Sequence, residues 1–189
     1  MDLRIILLLF ISHLLGDFAL QSKNILKLRL GKNLSESIKG NIIHSLVHFI
    51  LMVTILFIAK DLNVLTNVNY MRSLILALVI AIIHFFIDEL KSYLIKIKPS
   101  LEIDILLFLF DQVIHFIAIV IATFSLINYN VTSVNLYTKN LNVTDRFLIV
   151  IIVFLMGTFF SGILIKKFIT YINFSKYRIL VDKGFFIYD

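Results

Sequence analysis

The chain has 189 residues, 60% of them hydrophobic, a mean hydropathy of +0.98 and a formal net charge of +6. A soluble domain is about 45–50% apolar; here the excess is gathered into long runs between short polar stretches, which excludes a separate soluble domain, and runs of this length are not barrel strands. Cysteine is absent, so a disulfide framework and thiolate metal ligation are excluded as well.

The runs predict an all-α, polytopic membrane protein forming a single transmembrane domain over residues 1–189, with five spans of about 20 residues each. The first, about 3–21, carries His13 and Asp17. Basic residues follow it rather than precede it, so it reads as a membrane helix and not as a signal peptide. A basic loop leads to the second span, about 39–60, with His44 and His48. The third, about 71–95, carries His84 and Asp88, and a short loop with Pro99 leads to the fourth, about 104–128, with Asp111 and His115. The fifth, about 146–172, has no His or acidic residue in its middle. Its Gly157/Ser161 and Thr158/Gly162 pairs form small-residue faces suited to helix packing or to a homo-oligomer. Residues 173–189 read as a basic and aromatic cytoplasmic tail suited to the membrane surface.

The loops set an orientation. Thirteen of the 18 basic residues (Lys23, Lys27, Arg29, Lys32, Lys39, Lys91, Lys96, Lys98, Lys166, Lys167, Lys176, Arg178 and Lys183) fall on one side. Arg4, Lys60, Arg72, Lys139 and Arg146 fall on the other. The positive-inside rule then puts the N-terminus outside and the C-terminus in the cytoplasm. Asn130-Val131-Thr132 and Asn142-Val143-Thr144 match the glycosylation acceptor pattern on the outer side, a pattern that often arises by chance.

Every His has a His or Asp partner four residues away: His13/Asp17, His44/His48, His84/Asp88 and Asp111/His115. Residues at that spacing share a helix face. Fourteen residues of the 189 are His or Asp, so a given His has about a 15% chance of such a partner, and five of five is on the order of one in a thousand or rarer. All four pairs also fall in the half of the membrane nearer the thirteen basic residues, with His44 and His48 about 7–14 Å from that edge. An Asp at the bilayer centre costs about 2.5–3.5 kcal/mol, so three cost roughly 8–10 unless mutual pairing or a bound cation offsets them.

There is an internal repeat. Ile11 to Asp17 resembles Ile82 to Asp88, and His44 to Ile50 resembles Asp111 to Ile117. The two hairpins run in the same direction, so an axis along the membrane normal would relate them and bring the four pairs together. Four inward-facing helices with carboxylate and His ligands are one way of building a metal site in a bundle. His13, His44, His48, His84 and His115 are therefore the expected ligands of a divalent metal, zinc first, with iron or manganese as alternatives. Asp17, Asp88 and Asp111 are the expected catalytic carboxylates, binding metal, orienting imidazoles or accepting a proton. Gln21, Glu89, Lys91 and Gln112 are expected either to support that site or to face a substrate; the other reading of each is an interfacial side chain reaching for water.

His13-Leu14-Leu15-Gly16-Asp17-Phe18-Ala19-Leu20-Gln21, His44-Ser45-Leu46-Val47-His48, His84-Phe85-Phe86-Ile87-Asp88-Glu89-Leu90-Lys91 and Asp111-Gln112-Val113-Ile114-His115 together resemble the bacterial membrane proteins grouped as domain of unknown function 3307. The resemblance covers roughly residues 3–125, and Gly162-Ile163-Leu164-Ile165 is a candidate extension into the fifth span. It implies a bacterial multi-pass protein and no particular activity.

Three functions fit. The first is a metal-dependent membrane enzyme, most simply a hydrolase acting on a lipid-linked or amphipathic substrate at the cytoplasmic leaflet of the bacterial inner membrane, with a di-iron oxidase as a variant. The second is a transporter or channel for a metal ion or small solute, which needs a polar path that the outer halves of the first four spans do not offer. The third is a non-catalytic polar network, a costly way to pack helices when an intramembrane hydrogen bond averages about 0.6 kcal/mol. Membrane lipid is the expected partner, and nucleic acid is not.

The orientation can be tested directly, because the native chain has no cysteine. A single Cys at Ser35 should be shielded from impermeant thiol reagents added outside, and one at Ser133 should react; the reverse pattern sinks the topology.

Overall fold

The computed structural model describes residues 3–31, 33–65, 68–97, 100–127 and 142–182, with side chains up to residue 174. Pro99, Ser133, the Asn130-Val131-Thr132 triplet and the tail from Lys183 onward lie outside the described residues.

Among the described residues every regular element is helical. Helix α1 (Leu3–Leu14) continues into a π-helical turn, Leu15–Ala19. Then come α2 (Lys23–Arg29), α3 (Leu34–Asp61), α4 (Tyr70–Ile97), α5 (Leu101–Leu126) and α6 (Val143–Leu155). A second π-helical turn, Met156–Phe160, joins α6 to α7 (Ser161–Asp182). Helices α3, α4, α5 and the continuous stretch Val143–Phe174 are each long and apolar enough to cross a membrane. Leu3–Ala19 and α2 qualify as a fifth span only together, and a break between them bends the pair by 91°. The chain is thus a membrane protein with four to five spans.

Two parts of the sequence reading change. The basic segment after the first span is not all loop, because it contains α2. Ser22 caps that helix by accepting from the Ile25 N–H at 3.3 Å, and α2 lies against the start of α3. Its seat is Gly40 of α3, where a Cβ would stand 2.5 Å from the Arg29 backbone nitrogen. The expected tail is also largely helical, since α7 runs on to Asp182 without a break at residue 173.

Helix α1 packs on α3 and α5, and α4 packs on the same two, which closes a ring of four. In that ring α1 stands diagonal to α4 and α3 diagonal to α5, as a two-fold axis along the bundle requires. Helix α6 packs on α1 and α7 on α5. One half of the ring is filled by Leu9, Met52, Leu56, Leu76, Ala77 and Ile119, none more than 1% exposed. At that end Arg4 ties three segments together: its Nε donates to Asp145 Oδ1 at 2.8 Å and its Nη1 to the Val64 carbonyl at 3.0 Å. Asn63, at φ 56°, closes α3 in the left-handed conformation that asparagine tolerates. Asn142, the acceptor residue of the second triplet, caps α6 by accepting from the Asp145 N–H at 3.0 Å. A Cβ added at Gly157 or Gly162 meets nothing within 4 Å, so these small residues serve no helix contact within the described part of the chain.

The close seat of α2 makes a prediction. Gly40→Ala forces the Arg29 backbone outward and should lower stability by about 1–3 kcal/mol, the usual cost of overpacking, read from thermal unfolding in detergent. Gly162→Ala, with open space at its Cβ, should leave the transition unchanged or raise it slightly. Equal effects of the two would mean that α2 does not rest on Gly40.

Candidate functional site

The eight His and Asp residues singled out in the sequence all meet in the ring, in three overlapping groups whose ligand atoms lie within 4.8 Å of one another. The first is Asp17, His44, His48 and His84, the second His13, His84 and His115, and the third Asp88, Asp111 and His115. In the first group Asp17 Oδ1 stands 3.0 Å from His44 Nε2 and 3.1 Å from His48 Nε2, and the two nitrogens are 3.2 Å apart. Donors at about 2.0–2.1 Å around a tetrahedral zinc stand about 3.3 Å from each other. The three atoms therefore already have close to the edge lengths of one face of such a polyhedron.

Local backbone features set this geometry. Asp17 sits in the π-helical turn that ends α1, a wider turn of a kind frequent at functional sites. Gly16, in the same turn, lets the His48 ring lie against the α1 backbone; a Cβ there would be 2.4 Å from His48 Cε1. The repeat reappears in the contacts. Asp17 lies 3.1 Å from His48, and its counterpart Asp88 lies 3.7 Å from His115. His13 lies 3.6 Å from Asp17, and His84 lies 3.2 Å from Asp88.

Three of the four expected supporting residues touch the site or its supports. Lys91 Nζ donates to Asp111 Oδ2 at 2.6 Å, so it turns inward instead of reaching for water. Gln112 Nε2 donates to Asp17 Oδ2 at 3.0 Å and to Asp111 Oδ2 at 3.3 Å, while its Oε1 faces His13 Nε2 at 3.3 Å. Glu89 accepts from Asn41 Nδ2 at 2.6 Å. Gln21 lines the neighbouring cavity.

The sequence reading missed Arg29 and Asn41. Arg29, counted there only as a loop charge, is buried on α2, with Nη2 2.6 Å from Asp88 Oδ1 and Nε donating to Asn41 Oδ1 at 2.7 Å. Asn41 carried a legible signal, since it lies three and seven residues before His44 and His48 on one helix face. Arg29 carried none.

Five buried atoms of the cluster, His44 Nδ1, His84 Nε2, Asp88 Oδ2, Asp111 Oδ1 and His115 Nε2, have no hydrogen-bond partner among the described residues. Yet His84 Nε2 is 3.2 Å from Asp88 Oδ2, and His115 Nε2 is 3.3 Å from Asp111 Oδ1. Donor atoms this close without hydrogen-bond geometry are suited to sharing a cation.

Access differs at the two ends. A cavity of about 450 Å³ at the α2 end reaches Asp17, Asp111 and Gln112, with walls from α2, α4, α5 and α7. On the other side of the imidazoles lies a void of about 10 Å³ against Met52, Ile80 and Ile119, room for about one water. Past it lies the closely packed apolar half of the ring.

A family model described as protein of unknown function (DUF3307) matches residues 5–144. The match takes in all four His/Asp pairs and stops before Gly162-Ile163-Leu164-Ile165. No curated protein and no solved structure matches the chain.

The Arg29–Asp88 pair yields the next prediction. Removing one partner of a buried ion pair costs about 3–5 kcal/mol, so Arg29→Ala should destabilise strongly in denaturant or thermal unfolding. Arg29→Ala combined with Asp88→Asn removes both charges and should recover much of the loss. A double variant as unstable as the sum of the two single ones would show that the pair is not coupled.

Proposed function

The chain belongs to the DUF3307 family, a membership that brings no activity with it, and we propose that it is a metal-dependent hydrolase of the bacterial inner membrane, acting on a lipid-linked or amphipathic substrate at the cytoplasmic leaflet. One observation carries this reading: Asp17 lies deep in the bundle with two imidazole nitrogens at near-ligand spacing and no Lys or Arg at hydrogen-bond distance among the described residues. Asp88 has Arg29 and Asp111 has Lys91. With the imidazoles neutral, the cluster keeps one uncompensated negative charge, and a divalent cation held by Asp17, His44, His48 and His84 would offset it and leave the centre with a net charge of +1.

A carboxylate with three imidazoles is a common set for zinc and also suits iron or manganese. Such an ion lowers the pKa of a bound water toward about 7. The remaining residues then have distinct tasks. Asp111 lines the cavity and keeps Oδ1 without a hydrogen bond, so it takes the water proton. Lys91 and Gln112 hold its other oxygen and fix the carboxylate plane. Water adds across the scissile bond: its hydroxyl goes to the electrophilic centre and its proton, through Asp111, to the leaving group. His13 and His115 line the small void on the other side of the imidazoles, and Arg29 holds Asp88. The cavity opens among α2, Lys91 and Lys166, on the side bearing most of the basic residues, which the positive-inside rule assigns to the cytoplasm.

The transport reading is disfavoured by the packed apolar half of the ring, which offers no polar path beyond the imidazoles. A purely structural network is disfavoured by the five unpartnered buried atoms, since such a network is useful only when satisfied.

Metal analysis tests the proposal. Protein purified without chelators should hold about one tightly bound divalent ion per chain at neutral pH. Asp17→Asn and His48→Ala should lose it, and Lys91→Ala should keep it, with helix content by circular dichroism confirming that each variant folds. Substoichiometric metal unchanged by Asp17→Asn or His84→Ala would leave only the polar network.

A further inference from the structure

The proposed hydrolase leaves its substrate open, and the cavity beside the centre narrows it. We propose that this cavity receives the phosphate group of an anionic amphiphile and that Lys166 selects for it, an assignment that rests on the hydrolase reading for its catalytic meaning but not for its binding chemistry.

The walls have two characters. Phe18, Leu26, Leu30, Ile105, Phe108 and Ile163 make an apolar face, while Asp17, Asp111 and Gln112 bring the polar centre to the same space. A ligand that fills it has an apolar body and a polar head. Four cations, Arg29, Lys91, Lys166 and Lys167, line the cavity against three carboxylates, Asp17, Asp104 and Asp111. Most of that charge is committed: Arg29 to Asp88, Lys91 to Asp111 and Lys167 to Asp104. Lys166 is exposed, and its ammonium has no ion-pair or hydrogen-bond partner among the described residues, the only side-chain bond to this residue being from Thr170 Oγ1 to its backbone carbonyl. It is the cation of the wall left to meet a ligand, and an ammonium with three donors binds phosphate well as a point charge.

Its depth agrees. The neighbouring Lys167 pairs with Asp104 in the first turn of α5, so Lys166 stands level with the start of α5, where headgroup phosphates lie and basic side chains attract them. Helix α7 thereby has a task that its own sequence, without His or Asp in the membrane, did not suggest. A metal ion at the Asp17 group adds positive charge to the floor, so a neutral or cationic head is the poorer fit.

The test uses the full chain released in mild detergent and native mass spectrometry. Phosphatidic acid, diacylglycerol with the same acyl chains, and glycerol 3-phosphate are the probes, and metal content is measured on the same samples. Phosphatidic acid should be retained over diacylglycerol. Lys166→Glu should cut that retention by about fivefold or more, the worth of one basic residue beside an anionic headgroup. Lys166→Arg should preserve it, as should Lys60→Glu at the other end of the bundle. Equal retention of the two lipids, or no effect of Lys166→Glu, overturns the assignment. Displacement of phosphatidic acid by glycerol 3-phosphate at equal concentration overturns the amphiphile and leaves a site for a soluble phosphate ester. A phosphatidic acid preference in metal-free protein supports the cavity and removes the hydrolase; metal without that preference removes the cavity assignment alone.

Discussion

Three carboxylates stand among five imidazoles inside a ring of four apolar helices, and among the described residues only two cations enter with them. Arg29 and Lys91 each come within 2.6 Å of a carboxylate, Asp88 and Asp111 respectively. Asp17 has imidazoles and an amide around it. In a medium that solvates charge poorly, this imbalance constrains the rest of the site. It can be relieved by a proton on one imidazole or by a metal ion. A proton on His84 Nε2 or His115 Nε2 balances the charge and, facing Asp88 Oδ2 at 3.2 Å or Asp111 Oδ1 at 3.3 Å, satisfies two unpartnered atoms. The cluster has five such atoms, contributed by α3, α4 and α5, more than one proton satisfies.

The helices around this cluster are bent where a straight bundle would fail to assemble it. A regular α1 would continue along the ring. Instead its last turn widens, Gly16 admits the His48 ring, and the chain turns by 91° into α2. Gly40 then lets the α2 backbone approach α3 closely enough for Arg29 to reach Asp88. Two positions without side chains thus control how near two polar groups come to the centre, one on each side of Asp17 in the chain.

Polarity is also divided along the ring axis. One half is packed with aliphatic side chains and closes the imidazoles off; the other meets a cavity whose wall mixes aromatic, aliphatic and basic residues. A centre open at one end suits a molecule that enters and leaves by the same side. It does not suit passage across the membrane. The pairing of α7 with α5 through Lys167 and Asp104 completes that wall, so the outlying span helps to shape the entrance although it gives nothing to the cluster itself.

Much of this was legible in the amino-acid order because helical periodicity is local. The long apolar runs, the four His/Asp pairs, their common depth, and the repeat that sets α1 against α4 and α3 against α5 all follow from spacings of a few residues or from copying of a motif. Asn41 lay on the same face as His44 and His48 and could have been read in the same way. Arg29 could not: its helix has only seven residues and no long apolar period, and its burial depends on a bend and on a contact with a glycine of another helix. Nor could the sequence tell that Asp88 and Asp111 have cationic partners while Asp17 does not, since that depends on how the helices are rotated against one another. Local spacing determined which residues face inward. The packing of distant segments decided which of those residues meet, and therefore where the unbalanced charge lies.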